Sequence, residues 1–281
     1  MLSVRRLYFI LANVAAPPVL AMVACHTKIA VASKTSILII HSKNGKILME
    51  LKTKKNCDIN AVSISTCGCF LATGDEKGQV VVRVIEALNP EQQQKKKFQS
   101  YVLFSVYHGL VEPQSPNPIK CVTFSPGIIQ LAGKNTNAAS KTTEEVPGTS
   151  KGMALLASSD ASNKIVLRLL TKPNVELYTF NTAQTLISLM FVPECSPPKL
   201  CAADSYDRVI FYSDINKDGK WTNAGAEWEF TNSGTVECID FSKDGKIALI
   251  GVTKKLLVLN VDGSGTPFYT RGRFIICFFK P

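Results

Sequence analysis

The chain has 281 residues, 46% hydrophobic and 19% charged, an ordinary globular composition that suits one large all-β domain or two small ones. Lys and Arg outnumber Asp and Glu by 32 to 22, a net charge of +10 that permits nucleic acid, an acidic protein or an anionic membrane as partner and does not choose among them. The nine cysteines are an odd number, and Cys121, Cys201, Cys238 and Cys277 sit inside apolar runs, which argues against a disulfide framework and for a reducing compartment, cytoplasmic or nuclear.

Residues 1–24 read in two ways. Arg5-Arg6, the apolar Leu7–Leu11 and the small residues near Ala21 and Ala24 resemble a signal or anchor segment. Pro17-Pro18 breaks that segment in its middle, which fits two short strands joined by a turn. No other stretch approaches the ~20 consecutive apolar residues of a spanning helix.

From residue 25 onward, short strands and turns alternate. Ile29–Ala32 and Ile37–His41 are strands, and Asn44-Gly45 is a hairpin signal leading into Ile47–Leu51. Ile59–Ser65 alternates, Phe70–Thr73 leads into the turn Gly74–Gly78, and Val80–Ile85 follows. Residues 89–100 are a polar loop carrying Lys95, Lys96 and Lys97, after which Tyr101–Tyr107 resumes as a strand. Ile119–Ser125 alternates again. The low-complexity stretch Gly133–Gly152 cannot bury a face and is expected to be a disordered insertion within one repeat.

Residues 154–215 hold one unit almost twice. Ala154–Asp160 leads through Ala161–Asn163 to Ile165–Leu169, and Leu200–Asp204 leads through Ser205–Asp207 to Val209–Tyr212, with the strand Leu186–Val192 between them. Asn216–Gly225 reads as a turn and Trp228–Phe230 as a short strand. Thr235–Phe241, the turn Ser242–Gly245, Ile247–Gly251 and Leu256–Val261 form the cleanest copy. The aromatic Phe268–Pro281 does not fit the repeat. Strands beginning near Ile59, Ile119, Leu186 and Val236 recur at roughly the 40–45 residues of a propeller blade plus insertions.

The residues give little chemistry. His26, His41 and His108 are far apart, and no nucleophile elbow, histidine metal motif or phosphate-binding glycine loop occurs. No catalytic residue, metal site, cofactor or small-molecule substrate is therefore assigned. Asp75, Asp160 and Asp204 occupy equivalent turns, which argues for a role in the turn rather than in catalysis. Cys67 and Cys69 form a C-x-C pair, but zinc needs two further ligands and no matching pair appears, so they read as turn-flanking thiols. The stretch Asp214–Gly219 lacks the ligand spacing of a calcium loop and reads as a hairpin. The candidates for binding a partner or RNA are Lys95, Lys96, Lys97, Arg168, Lys172 and Arg208, which would form a phosphate-binding stripe if one rim collected them; otherwise they are solvated surface charges.

Cys121–Gly127, Glu237–Gly251, Leu71–Val84 and Cys201–Tyr212 together resemble the WD-repeat β-propeller family over most of residues 28–262. That resemblance implies an all-β, degenerate propeller of about five to seven four-stranded blades. The family's Gly-His and Trp-Asp dipeptides are missing here, and Trp221 and Trp228 are followed by Thr and Glu. Within the family, Thr171-Lys172-Pro173, Ala203-Asp204 and Val209–Tyr212 are similar to the non-catalytic subunit of the tRNA guanine-N7 methyltransferase. The next blade departs from that subunit's pattern at Asn232–Gly234 and Val252–Lys255. The leading expectation is a non-enzymatic scaffold with protein partners in a larger complex. A tRNA-positioning subunit reaching RNA through a basic rim is one alternative, and an ER-associated exchange factor of WD-repeat type, which would need an apolar terminal anchor, is another.

Overall fold

The computed structural model describes residues 19–25, 27–33, 36–52, 57–85, 100–108, 117–126, 155–195, 198–205, 208–214, 221–229, 235–253, 255–262 and 268–271. They form five four-stranded antiparallel sheets, each built from strands in chain order, arranged as a β-propeller. Blade 1 holds β1 (Val19–Ala24), β2 (Lys28–Ser33), β3 (Ser36–His41) and β4 (Ile47–Lys52). Blade 2 holds β5 (Ile59–Ile64), β6 (Phe70–Asp75), β7 (Gln79–Val84) and β8 (Tyr101–Tyr107). Blade 3 holds β9 (Ile119–Phe124), β10 (Leu155–Asp160), β11 (Lys164–Leu169) and β12 (Lys172–Asn181). Blade 4 holds β13 (Leu186–Phe191), β14 (Lys199–Asp204), β15 (Arg208–Asp214) and β16 (Trp221–Glu229), and blade 5 holds β17 (Val236–Phe241), β18 (Ile247–Val252), β19 (Lys255–Asn260) and β20 (Phe268–Arg271).

The first strands β1, β5, β9, β13 and β17 pack against one another in succession, so blade faces stack. One apolar cluster fills each junction. Ala30, Ile37 and Ile39 of blade 1 meet Ile59, Ile64 and Leu71 of blade 2. Phe70, Val80 and Val82 meet Ile119, Phe124 and Leu156. Leu155, Ile165 and Leu167 meet Leu186, Phe191 and Leu200. Cys201, Val209 and Phe211 meet Ile239, Phe241 and Ile250. A strand stacked on both faces must be apolar or small on both, which is why every residue of β6 and β10 is buried and neither alternates cleanly. The outermost strands β4, β8 and β12 are mostly exposed or half-buried.

The small residue before each turn has a steric cause. A Cβ on Gly74 would lie 2.2 Å from Ile119 Cγ2 of the next blade. The same place, second from the end of the second strand, is taken by Ala32, Ser159, Ala203 and Gly251. Serine side-chain oxygens bond the first residue of the second strand in blades 2, 3 and 5. Ser65 Oγ accepts from Phe70 N at 3.0 Å, Ser125 Oγ from Leu155 N at 2.8 Å and Ser242 Oγ from Ile247 N at 3.0 Å. The Asn44-Gly45 hairpin forms between β3 and β4, with Gly45 at φ 72°.

Val19–Ala24 pairs with β2, as the strand reading of residues 1–24 expects, and opens blade 1. Three elements differ from the sequence expectations. Lys172–Asn181 is a full outer strand despite Pro173, a residue that outermost positions tolerate. Trp221–Glu229 is a strand that takes in the second half of the expected turn at 216–225. Phe268–Arg271, outside the expected repeat, is the fourth strand of blade 5. The stretch 133–152 and residues 1–18 lie outside the described residues. No helix among the described residues is long and apolar enough to cross a membrane.

Candidate functional site

Antiparallel order places the chain's turns on two opposite faces. The turns between second and third strands share one face with the blade-to-blade connections; the turns between first and second strands share the other face with those between third and fourth. On the first of these faces the last residues of the second strands are Ser33, Asp75, Asp160, Asp204 and Val252.

The three aspartates use one oxygen identically. Asp75 Oδ1 accepts from Lys77 N at 3.0 Å and Gln79 N at 2.8 Å. Asp160 Oδ1 accepts from Ser162 N at 2.9 Å, Ser162 Oγ at 2.7 Å and Lys164 N at 3.1 Å. Asp204 Oδ1 accepts from Arg208 N at 3.2 Å. This is the turn role read from the sequence. Gly78 and Asn163, at φ 73° and 69°, complete the turns after Asp75 and Asp160. In blade 1, Ser33 does the equivalent work, its Oγ accepting from Ser36 N at 3.2 Å.

The other oxygen has a different partner in each blade. The Cys57 thiol donates to Asp75 Oδ2 at 3.1 Å. His108 Nε2 lies 3.6 Å from Asp160 Oδ2. Arg208 Nη2 lies 2.7 Å from Asp204 Oδ2, and its Nε donates to the same oxygen at 2.9 Å. Cys57 and His108 both come from the connections that enter the blade whose aspartate they meet.

At blade 3 the grouping has the membership of a hydrolytic triad: Ser158, His108 and Asp160. Its wiring differs. His108 Nε2 is 3.2 Å from the Lys164 carbonyl, which only accepts, so Nε2 carries the proton. Nδ1, 3.1 Å from Ser158 Oγ, then accepts from the hydroxyl. Burial, opposed by the Asp160 carboxylate, pushes the imidazole pKa down to about 4 and keeps the ring neutral. Ser158 is 1% exposed, so no substrate atom reaches its oxygen in this structure. The cluster is a hydrogen-bonded joint between blades 2 and 3.

Of the basic candidates, Arg168, Lys172 and Arg208 do not come together. Arg168 is 1% exposed; its Nη2 donates to Glu176 Oε1 at 2.9 Å and to the Tyr107 carbonyl at 3.2 Å. It braces blade 3 against β8 and is not presented to a partner. Burial lowers its pKa, opposed by Glu176, and its Nε is buried with no hydrogen-bond partner. Arg208 is pinned to Asp204 on the face of the second-to-third-strand turns, whereas the exposed Lys172 opens β12 on the opposite face. Lys95, Lys96 and Lys97 lie outside the described residues. Among the described residues no group of three His, Cys, Asp or Glu could hold a metal ion.

Sequence reasoning missed the exposed apolar side chains of the outer strands. Tyr101 and Val102 on β8 are 56% and 47% exposed, and Val175 on β12 is 53% exposed. The signal available was Tyr101-Val102 opening a strand after a polar loop. Strands β8 and β12 are in contact, so these residues lie on neighbouring outer edges.

No family model and no curated protein matches this sequence. In fold, 1464 solved chains match, which marks the architecture as a common one and leaves function open. One of them, from the structure titled "Crystal Structure of Mitotic Checkpoint Complex", superposes with a TM-score of 0.55 at 13% identity. The match covers 84% of this chain and 60% of that one, so the present chain spans under two thirds of its length. The likeness establishes the β-propeller fold.

Proposed function

We propose that this chain is a non-enzymatic propeller scaffold that holds protein partners within a larger complex, in the cytoplasm or nucleus. The observation that carries the reading is how the polar groups are used. The three turn aspartates, His108 and Arg168 are committed to internal bonds, while Tyr101, Val102 and Val175 stand exposed on the outer strands. Exposed aromatic and aliphatic side chains on a rigid sheet edge suit protein contact, where tyrosine is an enriched anchor. The neighbour from a multi-protein complex supports the same reading. The tRNA-positioning alternative draws no support from Arg168, Lys172 and Arg208, of which one is buried and the other two sit on opposite faces.

The test is affinity purification followed by cross-link mapping, repeated with Tyr101→Ala/Val175→Asp. The expected result is cross-links from a protein partner to β8 and β12, and at least about a tenfold loss of that partner in the variant, as for removal of interface anchors. Unchanged recovery of every partner by a folded variant overturns the assignment to these strands. Recovery of nuclease-sensitive, salt-sensitive RNA as the main ligand favours the alternative.

A further inference from the structure

The sequence sets Cys67 and Cys69 two residues apart, and the fold brings a third thiol against Gly68, the residue between them. Cys25 lies in the turn between β1 and β2, and Cys67–Cys69 in the turn between β5 and β6 of the next blade. Both turns occupy the same face. Gly68, at φ 71°, joins the two cysteines, and a Cβ built on it would lie 3.2 Å from Cys25 Sγ and 3.1 Å from Thr27 Oγ1. The Cys25 thiol therefore fills the space a side chain at 68 would need, one residue away from each of the others. Lys28 Nζ donates to the Gly68 carbonyl and, at 3.3 Å, to that of Ile85, which ties blade 1 to the blade 2 turn.

The three thiols differ in access. Cys67 is exposed, with Ser65 Oγ 3.2 Å from its sulfur, while Cys25 and Cys69 are half-buried. The Cys69 thiol bonds back to the Cys67 carbonyl at 3.6 Å, along its own backbone. Elsewhere, burial pushes the thiols of Cys57, Cys121, Cys195 and Cys201 up, Cys57 to about 12, so little thiolate forms there.

We propose that Cys67 is a site of reversible oxidation by a hydroperoxide, with Cys25 as the resolving thiol, so that oxidation joins blade 1 to blade 2. The Cys67 thiolate attacks one peroxide oxygen; an S–O bond forms, the O–O bond breaks, and the leaving hydroxide takes a proton to give water. The Cys25 thiolate then attacks the sulfenic sulfur; the S–S bond forms, the S–O bond breaks, and a second water leaves. Two thiols lose two electrons and the peroxide gains two. A thiol reductant reverses the step, as suits a reducing compartment.

The test treats the full chain with hydrogen peroxide, alkylates the remaining thiols and maps unreduced peptides by mass spectrometry. The expected product is a Cys25–Cys67 linked peptide, lost on adding dithiothreitol. Cys67→Ser abolishes it. Cys25→Ser leaves a Cys67 sulfenic acid that dimedone traps. Circular dichroism of both variants checks that the sheet is intact, since Cys67 is exposed and its replacement leaves no core cavity. Three results overturn the proposal: Cys67 remaining fully alkylatable under peroxide, a Cys67–Cys69 bond as the main product, or protection of all three thiols by equimolar zinc.

Discussion

The turns of blades 3 and 4 begin alike and end differently. Asp160 and Asp204 are both almost fully buried, and both bind their own hairpin through Oδ1. Asp204 then spends its second oxygen on Arg208, four residues on and a quarter exposed. Asp160 instead faces His108, which is anchored in blade 2 by its N–H to the Gly78 carbonyl at 2.9 Å. One aspartate closes a turn, and the other closes a turn and a joint between blades. The difference teaches that a repeated residue fixes the local hairpin, while the residue entering from the previous blade decides whether that hairpin also carries the interface.

Replacing the two aspartates breaks the comparison most directly. Asp160→Ala removes three hydrogen bonds at a carboxylate and leaves His108 facing a void, an expected loss of about 4 kcal/mol. Asp204→Ala frees Arg208 to reach water and is expected to cost about 1 kcal/mol. Urea unfolding of the two variants measures the gap, and equal losses would mean the joint carries nothing. The second-largest effect is with pH. His108 has a folded pKa of about 4 against an ordinary 6.5. The unfolded chain therefore takes up a proton that the folded chain refuses. The contribution is whole above pH 6.5 and is lost as pH falls toward 4, up to about 3 kcal/mol. His108→Gln should flatten this part of the stability profile between pH 7 and pH 4, whereas Arg208→Gln should leave it in place.

The same contrast explains what the sequence reveals. The small residue before each of these turns, and the Asp that follows it in blades 2, 3 and 4, recur because each solves a problem inside its own blade or against the next first strand, as Gly74 does against Ile119. Such residues repeat and are readable. The outer strand β12 is not, because one face meets solvent, the selection for alternation is weak and Pro173 disguises it; β16 is disguised by the polar residues within 221–229. Missing β12 also misplaced Arg168. Its partner Glu176 sits opposite it on that strand, so without the strand the arginine reads as a surface charge. The Cys25 contribution to the Cys67–Cys69 turn crosses between blades and has no spacing signature at all.

Packing at the joint can be broken from the other side. Gly74→Ala puts a methyl into Ile119, whose Cβ would be 2.6 Å away, with an expected cost of about 2 kcal/mol. Because the clash is with a side chain of blade 3, Ile119→Ala in the same chain should recover part of that loss. A double-mutant cycle by thermal unfolding reads the coupling, and strict additivity would place the clash elsewhere.

Blade 2 supplies the smallest and sharpest case. Cys57 enters from the preceding connection, as His108 does, yet meets Asp75 with a single thiol donor at 3.1 Å. The thiol is neutral, its pKa raised to about 12 first by burial and then by the Asp75 bond. It adds no proton uptake in the range where His108 acts. Cys57→Ser keeps a donor at that place and should change stability little, while Cys57→Ala leaves Asp75 Oδ2 without it and should cost about 1 kcal/mol. Neither variant should alter the slope of stability between pH 7 and pH 4. A joint at blade 2 that proved as pH-sensitive as the one at blade 3 would show that the aspartate, and not the entering residue, sets the response.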